Sequence, residues 1–149
     1  MKKVIIYSDA QGIAVVVHVP PGGDEDDRIA AALAALPKDA AYAQVVDAAA
    51  VPADRLFRGA WTVVPNGIEH DMAKARDIAR EHLRRHRAPL LEDLDVDFMR
   101  ATERGDQEET ARIAARKQQL RDVTAAPAID AATTPAELCA ALSLVGWAL

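Results

Sequence analysis

The sequence predicts an α+β chain, with a small β-rich N-terminal subdomain followed by a helical C-terminal part. Three observations carry that prediction. Short runs rich in Val, Ile, Tyr and Trp, separated by turn residues, occupy residues 1–70. Apolar residues at helical spacing, punctuated by helix-start signals, occupy residues 71–149. The apolar period changes from 2 to 3.6 near residue 70, which sets the expected boundary between a 1–70 and a 71–149 subdomain.

Residues 3–7 and 12–19 read as strands, because Ile13, Val15, Val16, Val17 and Val19 suit a pleated surface. Ser8-Asp9-Ala10-Gln11-Gly12 between them reads as a hairpin loop. Pro20-Pro21-Gly22-Gly23 ends the second strand, since proline removes a ladder donor. Asp24-Glu25-Asp26-Asp27 places acids ahead of a helix over 29–36, where they complement its positive N-terminal end. Ile29, Leu33 and Leu36 share one face of that helix, and Pro37 stops it. Residues 42–47 form a third expected strand, and 51–55 a connection. Residues 61–64 and 68–70 flank Asn66-Gly67, a strong hairpin cue. A type I′ turn needs two residues at φ > 0, and Pro65 leaves the turn type open.

In the helical half, Asp71 is placed to cap a helix with the stripe Met72, Ala75, Ile78/Ala79 and Leu83, running to Pro89. Leu90, Leu91, Leu94, Phe98 and Ala101 form a second stripe. Proline disfavours helix at Ala88, so residues 71–123 allow either an αα pair or one helix kinked at Pro89. Gly105 suits a C′ position, and Asp106 with Glu109 suits a new N-terminus. Ile113, Lys117, Leu120 and Val123 mark the helix that follows. So short a break predicts an antiparallel αα-hairpin. Thr134-Pro135-Ala136-Glu137 combines an N-cap, Pro at N1 and Glu at N3. The apolar tail over 142–149 should dock on something rather than face water.

Hydrophobic residues make up 50% of the chain but much of that is alanine, and aromatics are only 4%, so a monomeric core would be thin. A homo-oligomer or another partner is expected to supply the rest. Residues 1–70 carry 6 Lys/Arg against 9 Asp/Glu, and 71–149 carry 12 against 14. Neither balance suits a nucleic-acid binder. No run reaches a membrane-spanning length, and residues 1–7 lack the apolar core of a signal peptide. Cys139 is the one cysteine and reads as a small apolar helix residue, which fits synthesis in a reducing cytoplasm.

No chemistry-bearing motif emerges. His82 and His86 have metal-ligand spacing, but the run Glu-His-Leu-Arg-Arg-His lacks the metalloprotease order and its arginines repel cations. Asp93, Asp95 and Asp97 resemble the start of a calcium loop, but Phe98 and Arg104 stand where it needs Gly and Glu. They read as an exposed helix side. Lys74, Arg76, Arg80, Arg84, Arg85 and Arg87 form a basic stretch. Asp77 is spaced to pair with Arg80, and Glu81 with Arg84 or Arg85, which predicts a solvated face. Trp61 and Phe57 are expected in the core. No catalytic, cofactor or metal residue is assigned, and neither a small-molecule substrate nor an enzyme activity is expected.

Three stretches together resemble a family. They are Pro52-Ala53-Asp54-Arg55-Leu56-Phe57-Arg58-Gly59-Ala60-Trp61, then Asp71-Met72-Ala73-Lys74-Ala75-Arg76-Asp77-Ile78, then Arg87-Ala88-Pro89-Leu90-Leu91 on to Lys117-Gln118-Gln119-Leu120-Arg121-Asp122-Val123-Thr124. With Ala-Thr-Thr-Pro-Ala-Glu-Leu over 132–138, their order resembles small proteins encoded in tailed-phage and prophage structural gene clusters, near tail-fibre genes. The ending Ser-Leu-Val-Gly-Trp-Ala-Leu departs from that group. The resemblance implies a virion component or an assembly factor. The expectation is an accessory or adaptor protein of the tail fibre or tail, made in the host cytoplasm and located in the virion. The alternatives are a tail-assembly chaperone that leaves the particle and a head-associated decoration protein. Its partners would be other tail or fibre proteins and sister copies. Leu142, Leu144, Val145, Trp147 and Leu149, with Met72, Ile78 and Leu83, are the candidate interface residues.

Overall fold

The computed structural model describes residues 2–145. It is an α+β chain in two compact units that divide between Ala75 and Arg76, inside a helix.

The first unit contains a three-stranded antiparallel sheet of β1 (Lys3–Ser8), β2 (Ala14–His18) and β3 (Ala41–Asp47), in the order β2-β1-β3. As the central strand, β1 is covered on both faces, and Val4, Ile5 and Ile6 are all fully buried. The expected loop between β1 and β2 is tied by Asp9, whose carboxylate accepts from the Gln11 and Ile13 N–H groups at 2.9 Å each. Helix α1 (Glu25–Ala34) starts a turn earlier than the apolar stripe predicts. The Asp24 side chain accepts from the Asp26 and Asp27 N–H groups, which nucleates the helix within the acidic run itself. No residue of α1 is fully buried, and Leu33 stays exposed.

The hairpin β4 (Trp61–Val64) and β5 (Gly67–His70) contributes Trp61 and Ile68 to a core with Val4, Ile6, Ala14 and Val46. Trp61 and Phe57 are both fully buried, as expected. The turn sits one residue earlier than the Asn-Gly cue suggests. Val64 pairs with Gly67, so Pro65 and Asn66 are the two loop residues. Proline cannot reach positive φ, which rules out type I′. Asn66 has φ 65, giving the φ signs of a type II turn. Gly67 has no positive φ, and a Cβ there would meet the Ala50 carbonyl oxygen at 3.5 Å, an ordinary contact.

Helix α2 (Met72–Glu103) is capped by Asp71, which accepts from the Ala73 N–H at 3.0 Å. It does not stop at Pro89. The proline costs a hydrogen bond and crowds the preceding turn, about 3 kcal/mol, yet 32 residues stay helical through it. The continuous-helix alternative therefore holds at Pro89. The break comes instead at Gly105, whose φ of 69 glycine adopts without a Cβ penalty. Its N–H donates to the Thr102 carbonyl and the Asp106 N–H to the Ala101 carbonyl, both at 3.0 Å, closing a Schellman motif. Asp106 then caps α3 (Gln107–Asp122) by accepting from the Glu109 N–H. Helix α3 returns along α2, with the Lys117 ammonium 5.0 Å over the Phe98 ring and ion-paired to Asp95. The expected antiparallel pair thus forms between α3 and the second half of α2.

Helices α4 (Pro127–Ala131) and α5 (Pro135–Leu144) complete the second unit. The start of α5 follows expectation. Thr134 accepts from the Glu137 N–H at 3.2 Å, and the Glu137 carboxylate accepts from Thr133 N–H and hydroxyl at 2.8 and 2.9 Å. Those donors hold the Glu137 carboxyl below its ordinary pKa. Leu83, Ala101, Ile113, Leu120, Ile129, Leu138 and Leu142 are the buried residues of this unit's core, with Ala79, Ala132 and Ala141 filling the close approaches.

Candidate protein-docking surfaces

Among the described residues, the expected interface residues differ in exposure. Leu142 is fully buried and Leu83 is 2% exposed, so both belong to the second unit's core. This corrects their place in the interface: a charge at Leu142 would test folding, not association. The helical period explains the placement, since Leu138, Ala141 and Leu142 share the inward face of α5. Leu144, two residues on from Leu142, turns off that face and is 81% exposed. Val145, Met72 and Ile78 are partly buried. Trp147 and Leu149 lie outside the described residues.

The basic stretch of α2 has a structural occupation. Arg76 donates to the Ala132 carbonyl at 2.8 Å, and Arg80 to the Thr124 carbonyl at 3.3 Å and to Asp130. Arg87 donates to the Leu120 and Arg121 carbonyls at 3.1 and 2.6 Å. These acceptors lie at or just beyond the C-terminal ends of α3 and α4, where carbonyls lack helical partners and carry partial negative charge. The remaining arginines pair as their spacing predicts, Asp77 with Arg80 at 3.4 Å, and Glu81 with Arg84 and Arg85 at 3.5 and 3.3 Å. Asp93, Asp95 and Asp97 lie exposed along α2, as expected, and Asp97 pairs with Arg100 at 3.5 Å. His82 and His86 occupy successive turns of the same helix. Among the described residues no three His, Cys, Asp or Glu side chains gather with metal-holding spacing. No helix among them is long and apolar enough to cross a membrane.

What the sequence did not disclose lies on the first unit. β3 is an end strand, so the N–H and C=O groups on its outer side face away from β1. Its register against β1 shifts between Ile6 and Ser8: two residues of β1 span three of β3. This bulge holds Tyr42 at φ 55 and leaves it 80% exposed. Val45 on the same strand is 39% exposed. Gln44 faces the hairpin instead. Its amide nitrogen donates to the Val64 carbonyl at 2.7 Å and its amide oxygen accepts from the Asn66 N–H at 2.9 Å. A shallow groove follows, lined by Tyr42, Ala43, Gln44, Val63, Val64 and Pro65. No charged side chain lines it. A surface of this kind can accept an extended backbone and an apolar side chain.

A second exposed pair, Val96 and Met99, lies on α2 at 48% and 63% exposure. Its i, i+3 spacing, off the Leu90–Leu94–Phe98–Ala101 stripe, was a signal available in the sequence. Tyr42 offered none, because a bulge is decided by pairing between strands. No protein-family model, no curated protein and no solved structure matches this chain.

Proposed function

We propose that this chain is a structural protein of a tailed phage, an accessory or adaptor component of the tail fibre or tail. In this reading the outer edge of β3 takes up an extended segment of a neighbouring tail protein, and the helical unit meets sister copies through Leu144. The phage assignment rests on the resemblance of residues 52–61, 71–78 and 87–124. The docking assignment rests on one observation: a β3 edge with no strand partner, an uncharged groove beside it and Tyr42 projecting at 80% exposure. Edge strands left open normally carry charges or proline that discourage pairing. Here the strand's single charge, Asp47, is held by Lys3 at 2.9 Å.

Quantitative mass spectrometry of density-purified particles, with copy number set against the major capsid protein, tests the assignment. A tail-scale copy number supports it. Abundance in the lysate with absence from particles would replace it with a departing assembly chaperone, and capsid-scale copy number with a head decoration protein. Tyr42→Asp tests the docking edge, because Asp tolerates positive φ while placing a charge in the groove. Particle-associated copies should fall about tenfold, a coupling of roughly 1.4 kcal/mol. Unchanged incorporation would remove β3 from the interface and leave Leu144→Asp as the variant to examine.

A further inference from the structure

We propose that Trp61 and His70 form a proton-sensitive latch in the first unit: neutral His70 accepts the Trp61 indole N–H and holds the open end of the β4–β5 hairpin, and protonation of His70 releases it. The geometry carries the inference. Trp61 Nε1 lies 3.0 Å from His70 Nε2, and the two rings meet edge to face at 88°. An indole nitrogen only donates, so Nε2 must be bare and the neutral ring carries its proton on Nδ1. In the imidazolium both nitrogens donate, and two N–H groups would oppose each other across that distance. Trp61 is fully buried and His70 half-buried, so an indole N–H that loses this acceptor carries a desolvation penalty.

The pair also occupies a joint. Trp61 and His70 are opposite partners at the open end of the hairpin. The next residue, Asp71, caps α2 and donates its N–H to the Ala60 carbonyl at 2.8 Å. The charged surroundings are mixed. Asp54, in the segment before β4, favours the protonated ring, and the Arg55 guanidinium lies 5.7 Å over the Trp61 ring. Glu69 and Asp71 flank His70 along the chain, and Lys74 in the first turn of α2 lies 4.0 Å from Asp71. Burial lowers the pKa of His70 and Asp54 opposes it, with burial the larger effect. The Asp54 carboxylate, which accepts from the Leu56 N–H at 2.9 Å, is the charge that favours the released, protonated ring.

The test uses the full chain with Trp147→Phe, so that Trp61 is the remaining one of two tryptophans. The indole N–H resonance of Trp61 and the ring nitrogens of His70 are followed by NMR from about pH 8 to about pH 5. The expected result is a bare Nε2 at high pH, and a one-proton step below about pH 6.5 in both signals. Indole exchange protection should fall about tenfold across that step. His70→Gln should abolish the step in Trp61. A protonated Nε2 at high pH overturns the proposal, as does a Trp61 signal that stays flat while His70 titrates. Both readouts come from the chain with His70 intact, so the proposal survives a variant that folds poorly.

Discussion

The two units of this chain reach a packed interior by different means. The first relies on bulk: Trp61, Phe57, Ile5, Ile6 and Val4 are among the largest fully buried side chains. Its polar cross-links include Gln44 clamping the hairpin turn and Trp61 meeting His70 across the hairpin. The second unit has Ile129, Leu138 and Leu142 in that class and relies on alanine at its close approaches. There, three arginines of α2 bind the carbonyls left open beyond α3 and α4. A small side chain buries little area, at about 25 cal/mol per Å². A guanidinium on these part-buried helix-end carbonyls adds to what bulk supplies, since a hydrogen bond to a charged group contributes roughly 1.5–3 kcal/mol and less where water competes. The difference teaches that an alanine-rich helical unit can add bonding at its helix ends to the apolar contacts along them.

The sharpest way to break that comparison is Trp61→Ala. It empties a fully enclosed site in the bulk-packed unit and should cost about 3–5 kcal/mol in denaturant unfolding of the full chain; a loss under about 1 kcal/mol would mean the first unit does not depend on bulk. Pro89→Ala acts in the opposite direction. Pro89 is exposed inside a continuous helix, so restoring the N–H should raise stability by up to about 3 kcal/mol. Any destabilisation would show that the helix needs the proline's geometry. Arg87→Met keeps the aliphatic stem and removes the carbonyl donors, for an expected loss of about 1–2 kcal/mol, whereas Arg85→Met should cost almost nothing because its pair with Glu81 is 71% exposed on the arginine side. Equal effects from the two would end the claim that helix-end bonding sets this unit apart. Asp106→Ala should cost about 1 kcal/mol through loss of the α3 cap. His70 sharpens the contrast through pH. Its folded pKa lies below the ordinary value near 6.5. Its contribution is therefore complete above that value and declines as pH falls through it, in the first unit alone. A thermal-melt series from about pH 8 to about pH 5, compared with His70→Gln, reads it directly.

Legibility in the sequence followed the range of the interactions involved. Asp71, Asp106 and Thr134 mark helix starts because a cap acts over three residues of chain. The ion pairs of Arg80, Arg84 and Arg85 were readable for the same reason. Pro89 left a stop and a continuous helix both open, and the helix continues because the local penalty is outweighed by packing on both sides of it. The Asn-Gly cue found the hairpin but misplaced the turn by one residue, because the register of β4 on β5 chose Pro65-Asn66. The burial of the candidate interface residues was least legible. An apolar tail looks uniform along the chain, and only the rotation of α5 separates buried Leu142 from exposed Leu144.

By itself the sequence determined the fold class, most helix starts, the strand set and the internal pairing of the basic stretch. All of these depend on periodicity or on groups a few residues apart. Only the tertiary structure decided the bulge at Tyr42, the arginine bonds to distant carbonyls and the Trp61–His70 contact. Each of these requires a strand register or a helix rotation to bring together groups that no local pattern relates.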